Sequence, residues 1–154
     1  MSPRAACRLS ALGFTQVHDY LPGKVDWLAR NLPVEGTGVD TATIGRHLRH
    51  DVATAGPEDT VGEVRARIAH TAPGVALVTS TEGILLGRLH RTTLASLDPA
   101  TAAVEVMEPG PSTLRPHEPA AEVRSRLENK DLSYAIVTDP DGRLLGTVHP
   151  ADLP

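Results

Sequence analysis

The sequence predicts an α+β fold of the α/β sandwich type. Two pseudo-symmetric β-α-β-β-α repeats pack through their sheets, and a short α/β appendage precedes them. Three observations carry this expectation. The stretch "EGILLGRLHRTTL" (82–94) returns as "DGRLLGTVHPADL" (141–153). Sliding the chain by 59 residues lays 51–94 over 110–153 without a gap, with fifteen of 44 positions identical. Aromatic residues crowd the first 34 positions as Phe14, Tyr20 and Trp27, and only Tyr134 lies beyond them.

The chain of 154 residues suits one domain, or one domain with an appendage. Hydrophobic residues make up 40%, enough for one sizeable core. No apolar run nears the roughly 18 residues of a membrane span. The opening "MSPRAACRLS" lacks the layout of a signal peptide. A single cysteine excludes an internal disulfide and suits the cytoplasm. A net charge of −4 argues against a nucleic-acid partner. Residues 1–34 carry four basic and two acidic side chains, whereas 35–154 carry eleven and seventeen. The Gly-rich stretch "PVEGTGVDT" (33–41) reads as a linker, so the chain divides near residue 36.

Each copy opens with an extended piece that stops at a proline, "VATAGP" (52–57) and "PSTLRP" (111–116). A helix follows, capped by Asp59 in the first copy and with Pro119 in its first turn in the second. Val61, Val64 and Ile68 fall on one helical face, as do Val123 and Leu127. Arg65, Arg67, Arg124 and Arg126 are expected in solvent. Two strands come next: "VALVT" (75–79) and "LLGRL" (85–89), then "YAIVT" (134–138) and "LLGTV" (144–148). In the turn "DPDG" (139–142), Pro140 suits the second position and Gly142 a positive φ. A second helix begins after His90, and its counterpart is "ADL" (151–153). One copy of about 45 residues buries too little surface to stand alone, so two should share an interface.

These residues resemble a tandem pair of CBS domains, over roughly 43–154. The marks are "VEVMEPGPSTLRPHEPAAEV" (104–123), the hairpin "YAIVTDPDGRLLGTV" (134–148) and the closing "GTVHPADL" (146–153). The resemblance divides the chain into an N-terminal piece with linker (1–36), a first repeat (43–98) and a second (102–154). It implies a non-catalytic regulatory module that senses an adenosine-type ligand between the repeats. AMP, ADP, ATP and S-adenosylmethionine are the candidates, and no cofactor is required. It also implies a homodimer formed through the helices.

In such pairs a closing Asp accepts the ribose hydroxyls, and a Ser or Thr three residues earlier sits near the phosphates. A carboxylate suits a vicinal diol because it accepts both protons. The second copy has that acid, Asp152; the first has Thr93. Both copies carry histidine at the Ser/Thr position, His90 and His149. Carried over by position, one cleft joins Asp152 and His149 to Thr54, Gly74, Val75 and Ala76. A second, weaker cleft joins Thr93 and His90 to Thr113, Tyr134 and Ala135.

Residues 1–34 are similar to the C-terminal end of rhodanese-like sulfurtransferase domains. The marks are a helix ending in "LGF" (12–14), a strand "VHDY" (17–20), Gly23, Trp27 and "LPV" (32–34). The family's nucleophilic cysteine would fall before Met1. Cys7 lies inside the helix and is expected to be a buried structural thiol. The piece thus reads as a remnant, or as the tail of a longer product, without catalytic function. Two other readings stay open: a ligand-free interaction module that dimerises through its helices, and a fragment of a CBS-regulated sulfurtransferase. His47 and His50 have no third ligand spaced to form a metal site. No Ser-His-Asp spacing, Walker loop or dinucleotide fingerprint occurs.

Overall fold

The computed structural model describes residues 3–30, 32–35 and 42–154. Residues 36–41 of the expected linker, with the division near residue 36, lie outside the described residues. Among the described residues, two sheets and six helices make a mixed α+β fold. In the first sheet β1 (Ala53–Ala55) runs parallel to β2 (Val75–Thr79), which pairs antiparallel with β3 (Leu85–His90). The short β4 (Glu108–Pro109) closes its edge. In the second sheet β5 (Thr113–Leu114) runs parallel to β6 (Ala135–Thr138), which pairs antiparallel with β7 (Leu144–Val148). Both hairpins carry a ladder irregularity at equivalent places, Val78/Thr79 and Val137/Thr138.

Each sheet is covered by its own long helix, α3 (Val61–Ile68) or α6 (Ala120–Asn129). Val61, Val64 and Ile68 are fully buried against Ala76, Val78 and Leu89. Ala120, Val123 and Leu127 meet Val137 and Val148 in the same way. Because strand side chains alternate, Val75, Leu77 and Ile136 occupy the opposite faces. They are buried as well, so both faces of each sheet are closed.

The hairpin tips reveal the symmetry. Ile84 and Arg143 form an antiparallel bridge. The Leu85 N–H donates to the Gly142 carbonyl, and the Leu144 N–H to the Gly83 carbonyl, both at 2.9 Å. Each partner is the other's image under the 59-residue shift, so a pseudo-twofold axis passes between Ile84 and Arg143.

The same symmetry extends upstream of the legible repeat. The Ile44 N–H donates to Glu118, and the Ala103 N–H to Asp59. Arg49 pairs with Thr147 as Glu108 pairs with Arg88. The lead-in of each copy therefore lies on the other copy. Ile44, in a 3-10 turn (Ile44–Arg46), is fully buried in the second core. Ala103, in α5 (Ala103–Val106), is fully buried in the first, with Met107 packed beside it. The crossing is close. A Cβ on Gly146 would stand 2.4 Å from the Arg49 carbonyl oxygen, and one on Gly87 2.8 Å from that of Glu108. Glycine recurs at this place in both copies because another backbone passes there.

Several local expectations are corrected. Thr60, not Asp59, caps α3, in a reciprocal box with Glu63. Asp59 instead accepts from the Gly56 N–H and from Arg67. Its image Glu118 accepts from the Arg115 N–H and from Arg126. Pro119 sits in the extended cap position, one residue before α6. Arg67, Arg124 and Arg126 are exposed as expected and Arg65 is partly buried, yet all four also hold structure. Arg65 donates to the Leu94 carbonyl, and Arg124 donates 3.1 Å to that of Leu153. Both brace the segment after the last strand, whose terminal carbonyls otherwise lack partners. That segment is α4 (Arg91–Leu94) in the first copy and a 3-10 turn (Pro150–Asp152) in the second.

The N-terminal piece holds α1 (Pro3–Ala11) and α2 (Gly23–Ala29). Residues 17–20 form no strand, because no described segment pairs with them. Cys7 is exposed on α1 rather than buried. Tyr20 and Trp27 stack edge to face at 5.2 Å, and the Tyr20 hydroxyl donates to Asp26. Arg30 bonds both Asp26 and Asp141, each at 3.0 Å, tying α2 to the second hairpin. The two carboxylates raise the affinity of Arg30 for its proton. No helix among the described residues is long and apolar enough to cross a membrane.

Candidate functional site

β7 ends at Val148, and His149 caps the turn that begins at Pro150. This turn brings the Asp152 carboxylate to the edge of the sheet, where the lead-in passes. Arg49 Nε and Nη2 donate to its two oxygens at 2.6 and 2.7 Å. These bonds hold the Asp152 carboxyl below the usual carboxylate range. His149 Nε2 lies 3.4 Å from Thr147 Oγ1, and its ring packs 6.2 Å from that of Tyr134. Burial pushes the imidazole down, and the charge of Arg49 adds to this. Both influences favour the neutral imidazole.

The other members of the first expected set lie on and around β1 and β2. Thr54 is exposed on β1, and its carbonyl accepts 2.5 Å from Arg67. Gly74 is buried, with the Arg91 guanidinium where its Cβ would be. Arg91 stays there by donating to the Ala69 and Thr71 carbonyls. Val75 and Ala76 are buried on opposite faces of β2, Ala76 within the first core.

Of the second set, Tyr134 and Ala135 line an open cleft of about 380 Å³. Across it stand Arg88 of the first copy and Glu108 of the lead-in that lies on it, joined by two bonds of 2.8 Å. Ser112 and Leu114 line it on either side of Thr113, whose hydroxyl accepts from Arg115. His90 borders a smaller depression of about 350 Å³ with Gly74 and Arg91. Thr93 is exposed on α4. The Tyr134 hydroxyl is buried beside the Arg88 guanidinium. Desolvation raises its pKa, against the charge of Arg88. No group of three or more His, Cys, Asp or Glu among the described residues is placed to hold a metal.

Arg49, Arg88 and Glu108 were not legible as site residues. Arg49 lies upstream of the identical stretch, and its image is the oppositely charged Glu108. Thr147 and Arg88 differ likewise. The one available signal was apolar spacing, with Ile44 and Leu48 matching Ala103 and Met107.

Residues 103–153 match the family described as the CBS domain. No curated protein matches the chain. Among solved structures, the CBS domains of a transcriptional regulator from Streptococcus pneumoniae align with a TM-score of 0.65 at 20% identity, covering 73% of this chain and 97% of that one. The cytosolic domain of the Mg2+ channel MgtE, in complex with ATP, aligns at 0.64 and 26% identity, covering 73% of this chain and 48% of that one. A CBS domain protein from Pyrobaculum aerophilum complexed with AMP aligns at 0.59 and 16%, covering 72% and 89%. The paired sheets, the pseudo-twofold axis and these likenesses agree: the chain has the fold of a CBS domain pair, with residues 103–153 matching the CBS domain model.

Proposed function

We propose that the chain is a non-catalytic regulatory module that senses an adenosine-type nucleotide between its two copies, with the ribose on Asp152. AMP, ADP, ATP and S-adenosylmethionine are the candidate ligands. The observation that carries the reading is the Arg49–Asp152 pair. Asp152 can accept both hydroxyls of a vicinal diol, and Arg49 can donate two parallel bonds to a phosphate. A nucleotide would exchange each partner of the ion pair for one of its own groups. His149, Thr54, Gly74, Val75 and Ala76 complete the proposed site. The related folds solved with ATP and AMP support it.

The units 1–36, 43–98 and 102–154 belong to this proposal, as do a homodimer formed through the helices and a place in the cytoplasm. The rhodanese-like reading of the N-terminal piece rests on its sequence marks, and no chemistry is assigned to Cys7. One observation favours a second reading, a ligand-free interaction module: the Asp152 carboxylate already has a partner, and Thr93 offers no second acid.

Calorimetric titration with adenosine, AMP, ATP and S-adenosylmethionine separates the two. Adenosine is expected to bind at about one per chain and to lose most of its affinity in Asp152→Asn. No binding by any of the four, or unchanged affinity in the variant, moves the weight to the interaction module.

A further inference from the structure

Outside the two copies, the turn into α2 holds an apolar-lined cavity of about 590 Å³. His18, Asp19, Tyr20, Gly23, Lys24 and Trp27 line it, and none of them belongs to the site around Asp152. The volume falls in the range of small-molecule sites. Tyr20 and Trp27 stand perpendicular, at 88°, with ring centroids 5.2 Å apart. Their polar ends are already engaged. The Tyr20 hydroxyl donates to Asp26, and the Trp27 Nε1–H donates 2.8 Å to the Pro33 carbonyl. These bonds hold the rings in place and leave only their carbon surfaces to the cavity. A planar ring laid parallel to one of them is perpendicular to the other. Offset stacking and edge-to-face contact are both favourable, so the corner suits an aromatic group.

Charge selects what that group carries. Asp26 is bonded by Tyr20 and by Arg30. Asp19 has an interaction of its own. Lys24 is exposed and makes no ion pair among the described residues. The acids around the cavity are thus engaged, while its ammonium group remains to pair with an anion.

We propose that this cavity binds a small aromatic carboxylate, with its ring in the corner between Tyr20 and Trp27 and its carboxylate on Lys24. The inference rests neither on the nucleotide reading nor on the resemblance of these residues to a sulfurtransferase.

Trp27 is the one tryptophan of the chain, so its indole N–H gives a single NMR signal that reports on this cavity. The probe is 2-naphthoate, titrated into the full chain and followed by that signal and by calorimetry. A saturable shift is expected. The neutral analogue 2-naphthylmethanol and the ringless-π analogue cyclohexanecarboxylate should each bind about tenfold more weakly. Lys24→Gln should weaken 2-naphthoate about tenfold, as expected for losing a bond between charged groups, and should leave 2-naphthylmethanol unchanged. Lys24 is exposed and unpaired, so the variant should keep the wild-type circular dichroism spectrum. Excess adenosine should not displace 2-naphthoate. Absence of a saturable shift overturns the proposal, as does equal binding of either analogue or unchanged affinity in Lys24→Gln. Displacement by adenosine would place the anion at the Asp152 end and overturns it too. An indole signal that moves with protein concentration alone would assign the cavity to a second copy of the chain, with the same consequence.

Discussion

Arg49 and Asp152, 103 residues apart, are joined by two parallel hydrogen bonds that close the end of β7 over the lead-in. The contact unites three facts about the chain. Asp152 is the acid that the first copy lacks. Arg49 belongs to a segment outside the recognisable repeat. The strand between them, through Thr147, exchanges both of its backbone bonds with Arg49, at 2.8 and 3.0 Å. A ligand that takes Asp152 must therefore compete with a guanidinium already in place.

The first prediction separates stability from binding at this pair. Both side chains are partly exposed, so the ion pair itself contributes little to folding. Asp152→Asn should shift the denaturation midpoint only slightly. Adenosine affinity should fall roughly ten- to hundredfold, because a charge-assisted pair of bonds is lost. Calorimetry beside a denaturation curve measures both. A large stability loss with unchanged affinity would make Asp152 a purely structural acid.

The second prediction concerns pH. Burial, with Arg49 nearby, lowers the folded-state pKa of His149 below its unfolded value near 6.5. The unfolded chain then binds the proton first as pH falls. The contribution of His149 to stability is complete above about pH 6.5 and is lost below it. Wild type should lose more stability than His149→Gln between pH 7.5 and 5.5, measured by urea denaturation. Parallel curves would show that His149 is not perturbed. A bound phosphate should reverse the sense by favouring the imidazolium. AMP affinity should then fall from pH 6 to 8, while adenosine affinity stays flat.

The fold was legible because its strand hairpins and helices repeat with fifteen identities, and packing explains many of them. Arg65/Arg124 and Arg67/Arg126 recur because each makes the same bond in its own copy. The lead-ins were not legible. Segments 42–50 and 101–109 share no identical residue, and Arg46 and Arg49 face Glu105 and Glu108 in the comparison. Their kinship is one of backbone hydrogen bonds, which constrain side chains only at the buried pair Ile44/Ala103 and the partly buried pair Leu48/Met107. The candidate site suffered most, since Arg49, Arg88 and Glu108 all depend on that crossing. The expected strand at 17–20 failed for a different reason: extended residues form a strand only where another strand accepts their bonds.

The third prediction tests the crossing. A methyl group on Gly146 meets the Arg49 carbonyl oxygen, a backbone atom that cannot swing aside. Gly146 also holds φ +151°, which other residues rarely adopt. Gly146→Ala should cost about 1–3 kcal/mol, as overpacking of a tight contact does. Gly87→Ala should cost less, because the flexible Met107 side chain provides part of its contact. Equal and negligible effects in urea denaturation would mean that the lead-ins do not lie where they are described.

The last prediction follows from the exchange of lead-ins. Ile44 is fully buried, yet its neighbours are Ala120, Val123 and Val148 of the second copy. Ala103 serves the first copy in return. Neither core is complete within its own stretch of chain. Ile44→Ala should therefore cost about 2–5 kcal/mol, as a large-to-small change in a packed core does. The transition should stay single, because loosening one copy also frees the segment that seals the other. Truncation after Leu97 removes Ala103, Val106 and Met107 from the first core and should leave a half that is unstable or that self-dimerises. Residues 43–97 melting as a cooperative monomer, or Ile44→Ala splitting the transition in two, would show that the copies fold independently and that the exchanged lead-ins add no coupling between them.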